Sequence, residues 1–394
     1  MSTLKVDGIR SNSATSDAIT LASDGTCTAN ITNNLSNRNL IINGAMQVAQ
    51  RGTSSTSSGY QTVDRITVDI GGTDESPTLA QADVASGTTP YTLGFRKAFK
   101  ITNGNQTSGA GGSDHIQINY YVEAQDIATS GWDITNSSSN LTFSFWIKSS
   151  VSQFFTFSIR CKDGTEQVIN FKTPVLSADT WTKVTKTIPG NSNLTVNNDN
   201  GKGFQIMLFP YIGTDYTTTG LAEDTWSAWS GTKHAMDNTS TWYTTNDATF
   251  EITGVQLEVG SVATDFEHRS FGQELALCQR YFYQYVDGSE YPSGIASLCN
   301  VIGYQNNNAF GTVEFPVTMR AKPTLVHAEG TNYFKIWRNA GSGDLNSLQL
   351  QASGKNGAQI NAYNASSGTS ISQDQSGFMQ SNDTGVRVGF SAEL

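Results

Sequence analysis

Residues 141–148 read Leu-Thr-Phe-Ser-Phe-Trp-Ile-Lys, and their alternation decides the fold class. In an extended chain, Leu141, Phe143, Phe145 and Ile147 point to one side, while the intervening Thr, Ser, Trp and Lys point to the other. An apolar period of two indicates a strand that packs one side against a core. The segment therefore predicts a half-buried antiparallel β-strand.

Three further segments repeat this alternation, at residues 155–161, 182–188 and 204–208. Asp163-Gly164 lies between the first of them and the apolar residues 168–171, and an Asp-Gly pair favours a tight hairpin turn. Many short strands separated by turns are typical of a β-sandwich. We therefore predict an all-β protein built around a central jelly-roll sandwich.

The alternation changes parity once within a single strand. In residues 249–259, Phe250 and Ile252 follow one register, and the apolar residues after Gly254 follow the opposite one. A glycine at such a change favours a β-bulge, in which one extra residue turns the following side chains to the other side. We expect the bulge at Gly254.

One short helix is predicted after these strands. Ser270 can cap its first turn, with Gln273 at the reciprocal capping-box position. Apolar residues then follow at helical spacing, at Phe271, Leu275, Cys278 and Phe282. This helix divides the sandwich from a second β region with strand candidates at 295–302, 311–316, 324–327 and 386–390. A smaller C-terminal β-sandwich fits that pattern.

The composition excludes several classes of protein. Of the 394 residues only 15% are charged, yet 10% are aromatic, which a disordered chain or a charged coiled coil would not show. A net charge of -10 without a basic cluster argues against nucleic-acid binding. No apolar run is long enough for membrane insertion, and no secretory signal opens the chain. Cys27, Cys161, Cys278 and Cys299 lie far apart and are expected to be free thiols.

The chain divides into three parts: an extended attachment segment at 1–36, a sandwich body at 37–283 ending in the short helix, and a C-terminal module at 284–394. The first part, which we call the leader, is polar and too poor in apolar residues to fold alone. Its sparse apolar residues are candidates for docking onto another protein: Leu4, Val6, Ile9, Ile19 and Leu21. A flexible tail is the alternative.

Catalytic chemistry finds little support in the sequence. A polysaccharide hydrolase needs two carboxyl groups roughly 5–9 Å apart, and the candidate pairs are Glu123 with Asp126, Asp163 with Glu166, and Glu223 with Asp224. Turn chemistry explains the second pair, and the internal repeats of a β-helix are absent. The histidines show no metal-ligand spacing: His115, His234, His268 and His327. We predict no catalytic residues and no cofactor, with a structural calcium ion at Asp69, Glu251 or Glu258 as an alternative.

Glycan binding finds better support, because sugars stack their apolar faces on aromatic rings while amides and hydroxyls meet their polar groups. The polar segment 211–248 lacks alternation and holds five candidate rings: Tyr216, Trp226, Trp229, Trp242 and Tyr243. The alternative is that these rings close the end of the sandwich or lie at a subunit contact. Secondary candidates lie in the C-terminal module, at Tyr333, Trp337 and Tyr363.

Several blocks of the sequence resemble a family of bacteriophage tail-fibre and virion structural proteins. The blocks cover residues 39–52, 60–65, 143–148, 252–281, 315–324 and 389–394, and the leader at 4–9 is similar to virion-attachment segments. Residues 70–135 and 211–248 match nothing in that family, and a fibre's specificity is expected to vary there. The resemblance implies a body like a carbohydrate-binding module, a homotrimeric fibre and a role in host attachment.

Together, the residues and the resemblance lead to one preferred interpretation and two alternatives. We expect a non-enzymatic tail-fibre subunit that is assembled in the host cytoplasm, docks onto other tail or virion proteins through the leader, and binds host surface glycans. The first alternative is a purely structural fibre, spacer or capsid decoration protein. The second, less favoured one is a polysaccharide depolymerase.

Overall fold

A computed structural model describes residues 6–13, 15, 17–21, 23, 27–29, 37–231, 235–305, 308–339, 341–363 and 371–394. It confirms the all-β class: the strands pair antiparallel, except for one short parallel pair, Thr217–Thr218 with Ala235–Met236. In the leader, three strands form a small antiparallel sheet: β1 Gly8–Ile9, β2 Ile19–Leu21 and β3 Cys27–Ala29. Val6, Ile9 and Leu21 are exposed on it, and Leu4 lies outside the described residues.

The body contains most of the strands and two of the α-helices. The strands are β4 Ser54–Ser55, β5 Ile66–Gly71, β6 Thr78–Asp83, β7 Lys97–Thr102, β8 His115–Glu123, β9 Asn140–Ser149, β10 Thr156–Cys161, β11 Gln167–Lys172, β12 Thr182–Pro189, β13 Lys202–Ile212, β14 Thr217–Thr218, β15 Trp226–Ala228, β16 Ala235–Met236 and β17 Thr249–Val259. The helices are α1 Thr89–Thr92 and α2 Ala124–Ala128, with a 3₁₀ turn at Thr214–Tyr216.

Two six-stranded antiparallel sheets face each other in the body. The front sheet has the order β15-β11-β10-β13-β8-β5, and the back sheet has the order β12-β9-β17-β7-β6-β4. Aromatic rings fill the space between them, as the alternation predicts. Phe145 of the back sheet meets Phe157 of the front sheet edge-to-face, with ring centroids 5.3 Å apart, and Phe171 stacks on Phe157 at 5.1 Å.

Strand β9 is buried more completely than its alternation predicts. Its apolar side, including Phe143 and Phe145, lies in the core, but Thr142 and Ser144 on the other side are buried as well. The outer side of the back sheet carries a small second cluster, in which Phe95 and Phe266 meet edge-to-face at 4.9 Å. The chain that follows β17 returns across this side and covers it.

The predicted bulge and hairpin turn are both present. The register of β17 against β9 shifts between Thr253 and Gln256, and Gly254 has a φ of 61°. A Cβ atom at position 254 would lie 2.7 Å from Cζ of Phe95, so both the backbone and the packing require glycine there. Gly164 also has a positive φ and turns β10 into β11.

The predicted helix begins where expected and ends earlier. Helix α3 spans Phe271–Gln279, and the side chains of Ser270 and Gln273 form the capping box. Phe282 is not part of it, because a strand begins at that residue and pairs with the strand Arg387–Ser391. None of the helices in the described parts of the chain is long and apolar enough to cross a bilayer.

The C-terminal module is a second sandwich. Its strands are β18 Phe282–Asp287, β19 Ser297–Gln305, β20 Asn308–Glu314, β21 Thr324–His327, β22 Phe334–Arg338, β23 Gly341–Leu345, β24 Ser347–Ser353, β25 Gly357–Tyr363, β26 Ser376–Ser381 and β27 Arg387–Ser391, with 3₁₀ turns at Gly288–Glu290 and Pro292–Gly294. A three-stranded sheet, β18-β27-β21, packs on a seven-stranded sheet, β23-β22-β26-β19-β20-β25-β24. The predicted boundary at residue 283 falls inside β18 and stays a prediction.

The expected free thiols are buried to different degrees. Cys161 and Cys278 lie in the interior, while Cys299 is half-buried. Burial raises the pKa of the Cys161 thiol to about 11, so the protonated form prevails at neutral pH. The side chain of Cys27 lies outside the described residues.

A buried ion pair joins the body to the C-terminal module. The guanidinium of Arg65 lies 3.4 Å from the ring centroid of Tyr281 and pairs with the carboxylate of Glu393, next to the end of β27. Its Nη2 also donates to the backbone oxygen of Tyr121, 2.7 Å away. Arg65 is almost fully buried, so its charge depends on these partners.

We expect Glu393→Gln to destabilise the protein by about 3 kcal/mol, because it leaves the buried charge of Arg65 without a carboxylate. Asp287→Asn is the matched control: Asp287 pairs with Arg387 at a more exposed position of the same module, and we expect less than about 1 kcal/mol. Urea denaturation followed by fluorescence measures both variants. Equal effects of the two substitutions would contradict a special role for the buried pair.

Candidate functional site

The outer side of the front sheet carries a ladder of amide side chains. Gln117 and Asn119 lie on β8, and Gln205 lies on the neighbouring β13, where its register partner is Tyr121. Gln117 Nε2 donates to Asn119 Oδ1 at 2.6 Å, and Gln205 Nε2 donates to the same oxygen at 2.9 Å. Arg160 on β10 extends the ladder, with its Nη1 3.4 Å from Gln205 Oε1. The ladder therefore presents hydrogen-bonding groups across three neighbouring strands.

A groove of about 220 Å³ runs over this ladder. Trp229 and Arg160 line one part of it, and Tyr216, His115 and Asp69 line another. The rings of Trp229 and Tyr216 are half-buried, so each keeps part of its surface in the groove. The arrangement has the elements of a saccharide site: aromatic rings, and amides between them.

The Trp229 ring is held against Arg160. The guanidinium carbon of Arg160 lies 3.4 Å from the ring centroid, and Arg160 pairs with Glu166. Lys162 Nζ also contacts Glu166, at 2.8 Å. Partial burial opposes the ionisation of Glu166, but hydrogen bonds from Lys162 and Arg160 outweigh it and lower the pKa of Glu166. At neutral pH the carboxylate is charged and fixes the cation behind the indole ring.

The Tyr216 part of the groove is built around a histidine. His115 meets Tyr216 edge-to-face, with ring centroids 5.4 Å apart. Its Nε2 lies 3.5 Å from Asp69 Oδ2, and its Nδ1 lies 3.1 Å from the backbone oxygen of Ser113. Both ring nitrogens therefore have partners, and the imidazole is positioned beside the groove.

A covering segment decides how much of the front sheet stays open. The chain between β13 and β17 crosses the outer side of that sheet, where Ala235 of β16 packs on the apolar side chains of Val168, Met207 and Phe209. The groove lies over the polar side chains that the covering segment does not reach. Tyr216 and Trp229 belong to the covering segment itself and pack at the edge of its apolar cluster.

Three of the five primary glycan-binding candidates are core residues, which corrects the prediction that they face a ligand. Trp242 is 0% exposed and its Nε1 donates to the backbone oxygen of Thr249 at 2.9 Å. Tyr243 is buried parallel to Tyr211, with centroids 4.2 Å apart. Trp226 is 9% exposed and its Nε1 donates to the oxygen of Pro189 at 2.8 Å. Enclosed on all sides, these rings cannot stack on a sugar.

The secondary candidates do not form one site. Trp337 is exposed on the outer side of the seven-stranded sheet, whereas Tyr333 packs against the C-terminal core. The side chain of Tyr363 lies outside the described residues, although its backbone belongs to β25. Of the two candidate side chains that the structure describes, Trp337 is therefore the one placed to meet a ligand.

The candidate catalytic carboxylates other than Asp126 have structural partners. Glu123 is buried and accepts hydrogen bonds from Arg280 at 2.9 Å and from the hydroxyl of Tyr281. Glu223 and Asp224 both contact Lys186, at 2.7 and 3.4 Å. The remaining members lie elsewhere: Asp163 accepts from Asn197, Glu166 pairs with Arg160, and Asp126 lines a polar surface pocket.

The histidines are likewise placed in local contacts. His327 Nε2 lies 3.0 Å from the hydroxyl of Ser347, which also contacts Glu329 at 2.8 Å. Glu329 Oε1 also lies 3.5 Å from the same Nε2 of His327, whereas a nucleophilic triad places the serine and the carboxylate on different ring nitrogens. His268 bonds to the backbone oxygen of Leu93, and His234 lies outside the described residues.

The residues considered for calcium lie apart. Glu251 pairs with Lys148 at 3.0 Å, Glu258 accepts from Thr264, and Asp69 lies in the groove of the front sheet. Within the described ranges, no three His, Cys, Asp or Glu side chains are grouped closely enough to hold a metal ion.

The amide ladder was not predicted from the sequence, although the sequence contains a signal for it. Arg160 follows Ile159, and Gln205 lies between Phe204 and Ile206, so both occupy the outward positions of alternating strands. Alternation within a strand shows which side chains point outward. It does not show which outward side chains of different strands are neighbours. Their pairing shows which outward residues meet.

Comparison with known proteins gives only distant structural likenesses. No protein-family model and no curated protein sequence matches the chain. A tailspike protein 4 enzymatically active domain from bacteriophage CBA120 has 11% sequence identity and a TM-score of 0.31, covering 56% of this chain and 21% of its own. A putative sugar-binding protein from Bacteroides thetaiotaomicron has the same identity and TM-score, covering 57% of this chain and 100% of its own.

A cellulose-binding domain from Cellulomonas fimi is a third solved structure with such a likeness, at 11% identity and a TM-score of 0.27. It covers 55% of this chain and 99% of its own.

We expect Trp242→Ala to lower the free energy of unfolding by about 3–5 kcal/mol, because it removes a large ring from the core. Trp229→Ala should cost about 1 kcal/mol, because that ring is half-buried at the surface. Chemical denaturation of both variants measures the difference. If Trp242→Ala cost no more than Trp229→Ala, its assignment to the core would be wrong.

Proposed function

We propose that this protein is a glycan-binding subunit of a bacteriophage tail fibre and that the groove on the front sheet binds the glycan. The observation that carries the proposal is the amide ladder, of which Gln117 and Gln205 line the groove together with the ring of Trp229. A saccharide offers apolar C–H faces and a rim of hydroxyl groups, and this groove offers a partner for each.

Recognition would rest on neutral groups. The amides can donate and accept, so they suit hydroxyl groups, which also do both. Arg160 already pairs with Glu166, and His115 lies beside Asp69, so the charges at the groove are largely balanced. We therefore infer that an uncharged stretch of a host surface polysaccharide is the ligand, bound without chemical change to it.

The fibre assignment draws on the sequence blocks that resemble tail-fibre proteins. In this proposal the protein is a homotrimer in the virion tail, assembled in the host cytoplasm, with the leader docked onto another tail protein. Each groove alone would bind weakly, and several copies on one particle would raise the overall affinity through effective concentration. Attachment would be reversible until enough grooves are occupied.

We expect Trp229→Ala to weaken glycan binding by roughly tenfold or more, because it removes the ring beside the ladder. Gln117→Ala should weaken it by roughly fivefold, since Gln117 is the half-buried amide of the ladder that lines the groove and a sugar hydroxyl loses this partner. An array of host surface polysaccharides, followed by calorimetry with a bound member, measures both effects.

Tyr91→Ala provides the matched control. Tyr91 also carries a stacked guanidinium, that of Arg96 at 3.9 Å, but it belongs to α1 and not to the groove. Its substitution should leave glycan binding unchanged. An array on which the native protein binds nothing, or on which Trp229→Ala binds as the native protein does, would refute the groove as the site.

The docking role of the leader makes a separate prediction. Deletion of residues 1–36 should leave a folded trimer, because the sandwiches of the body and the C-terminal module have their own cores. The shortened protein should no longer enter phage particles. Light scattering measures the oligomeric state, and an assembly assay measures incorporation. Normal incorporation of the shortened protein would rule out docking through this segment.

A further inference from the structure

The C-terminal module exposes an aromatic pair on the outer side of its seven-stranded sheet. Trp337 on β22 and Phe378 on β26 are register partners, with ring centroids 6.4 Å apart and planes parallel to within 16°. Trp337 is 40% exposed and Phe378 is 44% exposed. Large rings at such positions increase the apolar surface in water, which a stable fold does not require.

The apolar surface continues onto the two neighbouring strands. Ile302 on β19 is 55% exposed and pairs in register with Phe310 on β20. Tyr304, at 62% exposed, lies against Phe310 with ring centroids 5.4 Å apart. Trp337, Phe378, Ile302, Tyr304 and Phe310 therefore form one surface over four adjacent strands, here called the aromatic face.

The surroundings of the aromatic face are polar but close to neutral. Asn300 is exposed and is the register partner of Phe378, and Thr312 follows Phe310 at the next outward position of β20. Lys335 Nζ lies 5.7 Å from the ring centroid of Trp337 and 3.4 Å from Asp344, which balances its charge. An anionic ligand or an anionic lipid surface would require unbalanced cations here.

The size of the aromatic face argues against a second copy of the chain as its occupant. Four strands spaced about 4.8 Å apart and five residues of strand length span roughly 14 by 14 Å. Such an area is about 200 Å², whereas a stable interface buries about 800 Å² on each partner. A small ligand with apolar faces and hydroxyl edges fits this area better than a protein does.

We propose that the aromatic face is a second saccharide site, separate from the groove of the front sheet, and that it takes a neutral oligosaccharide. Trp337 and Phe378 would contact the apolar faces of the sugar rings, while Asn300 and Thr312 would meet hydroxyl groups at the edge. Two sites on one chain would let a single subunit hold two parts of a polysaccharide, or two chains of it.

The test uses the full-length protein on an array of neutral oligosaccharides. The double variant Trp337→Ala with Phe378→Ala should lose roughly tenfold or more of its affinity for at least one oligosaccharide that the native protein binds. Because both rings are exposed, the variant should fold, and thermal denaturation checks this. Tyr291→Ala is the control, since Tyr291 is an exposed ring of the same module outside the aromatic face, and it should bind as the native protein does.

The proposals that the groove and the aromatic face bind saccharides can be refuted independently of each other. If the double variant loses affinity and Trp229→Ala does not, the aromatic face is supported as a saccharide site and the groove is refuted as one. If only Trp229→Ala loses affinity, the aromatic face is refuted. Two other results would also overturn it: a change of oligomeric state in the double variant with saccharide binding unchanged, or loss of binding to phosphatidylglycerol vesicles with saccharide binding unchanged.

Discussion

The buried guanidinium of Arg65 is the constraint on which the architecture depends. A charge removed from water destabilises the fold unless partners replace the water, and no single part of the chain supplies them all. The body contributes the backbone oxygen of Tyr121, the end of α3 leads to the ring of Tyr281, and the last residues contribute Glu393. These groups meet only when the C-terminal module is in place, so the body and the module are held in one arrangement.

Residues from distant parts of the chain meet around this joint. Residues 60–65 supply Arg65, and residues 252–281 supply Arg280, whose Nε donates to the buried carboxylate of Glu123 at 2.9 Å. Residues 315–324 supply Arg320, which donates to the backbone oxygens of Asn200 and Ala392, each at 2.7 Å. Arg65, Arg280 and Arg320 therefore belong to one structural framework around the joint.

The groove, in contrast, draws its lining from several stretches of the body. Gln117 and Asn119 come from residues 70–135, and Tyr216 and Trp229 come from residues 211–248. The sequence predicted the sheets well because period-two alternation is local. It misplaced Trp242, because the need for a ring to close the end of a sandwich arises only after distant strands have paired. The same limit hid the amide ladder, whose members are neighbours through strand pairing and not through the chain.

The scarcity of charge has a consequence for recognition. At both proposed sites the few charged side chains lie beside opposite charges, as Arg160 does with Glu166 and Lys335 with Asp344. Long-range attraction then contributes little, and binding depends on contact between rings, amides and hydroxyl groups. Such contacts are weak singly and insensitive to salt. A protein that binds in this way gains affinity by repeating its sites, which favours an assembly with several copies over a monomer with one deep pocket.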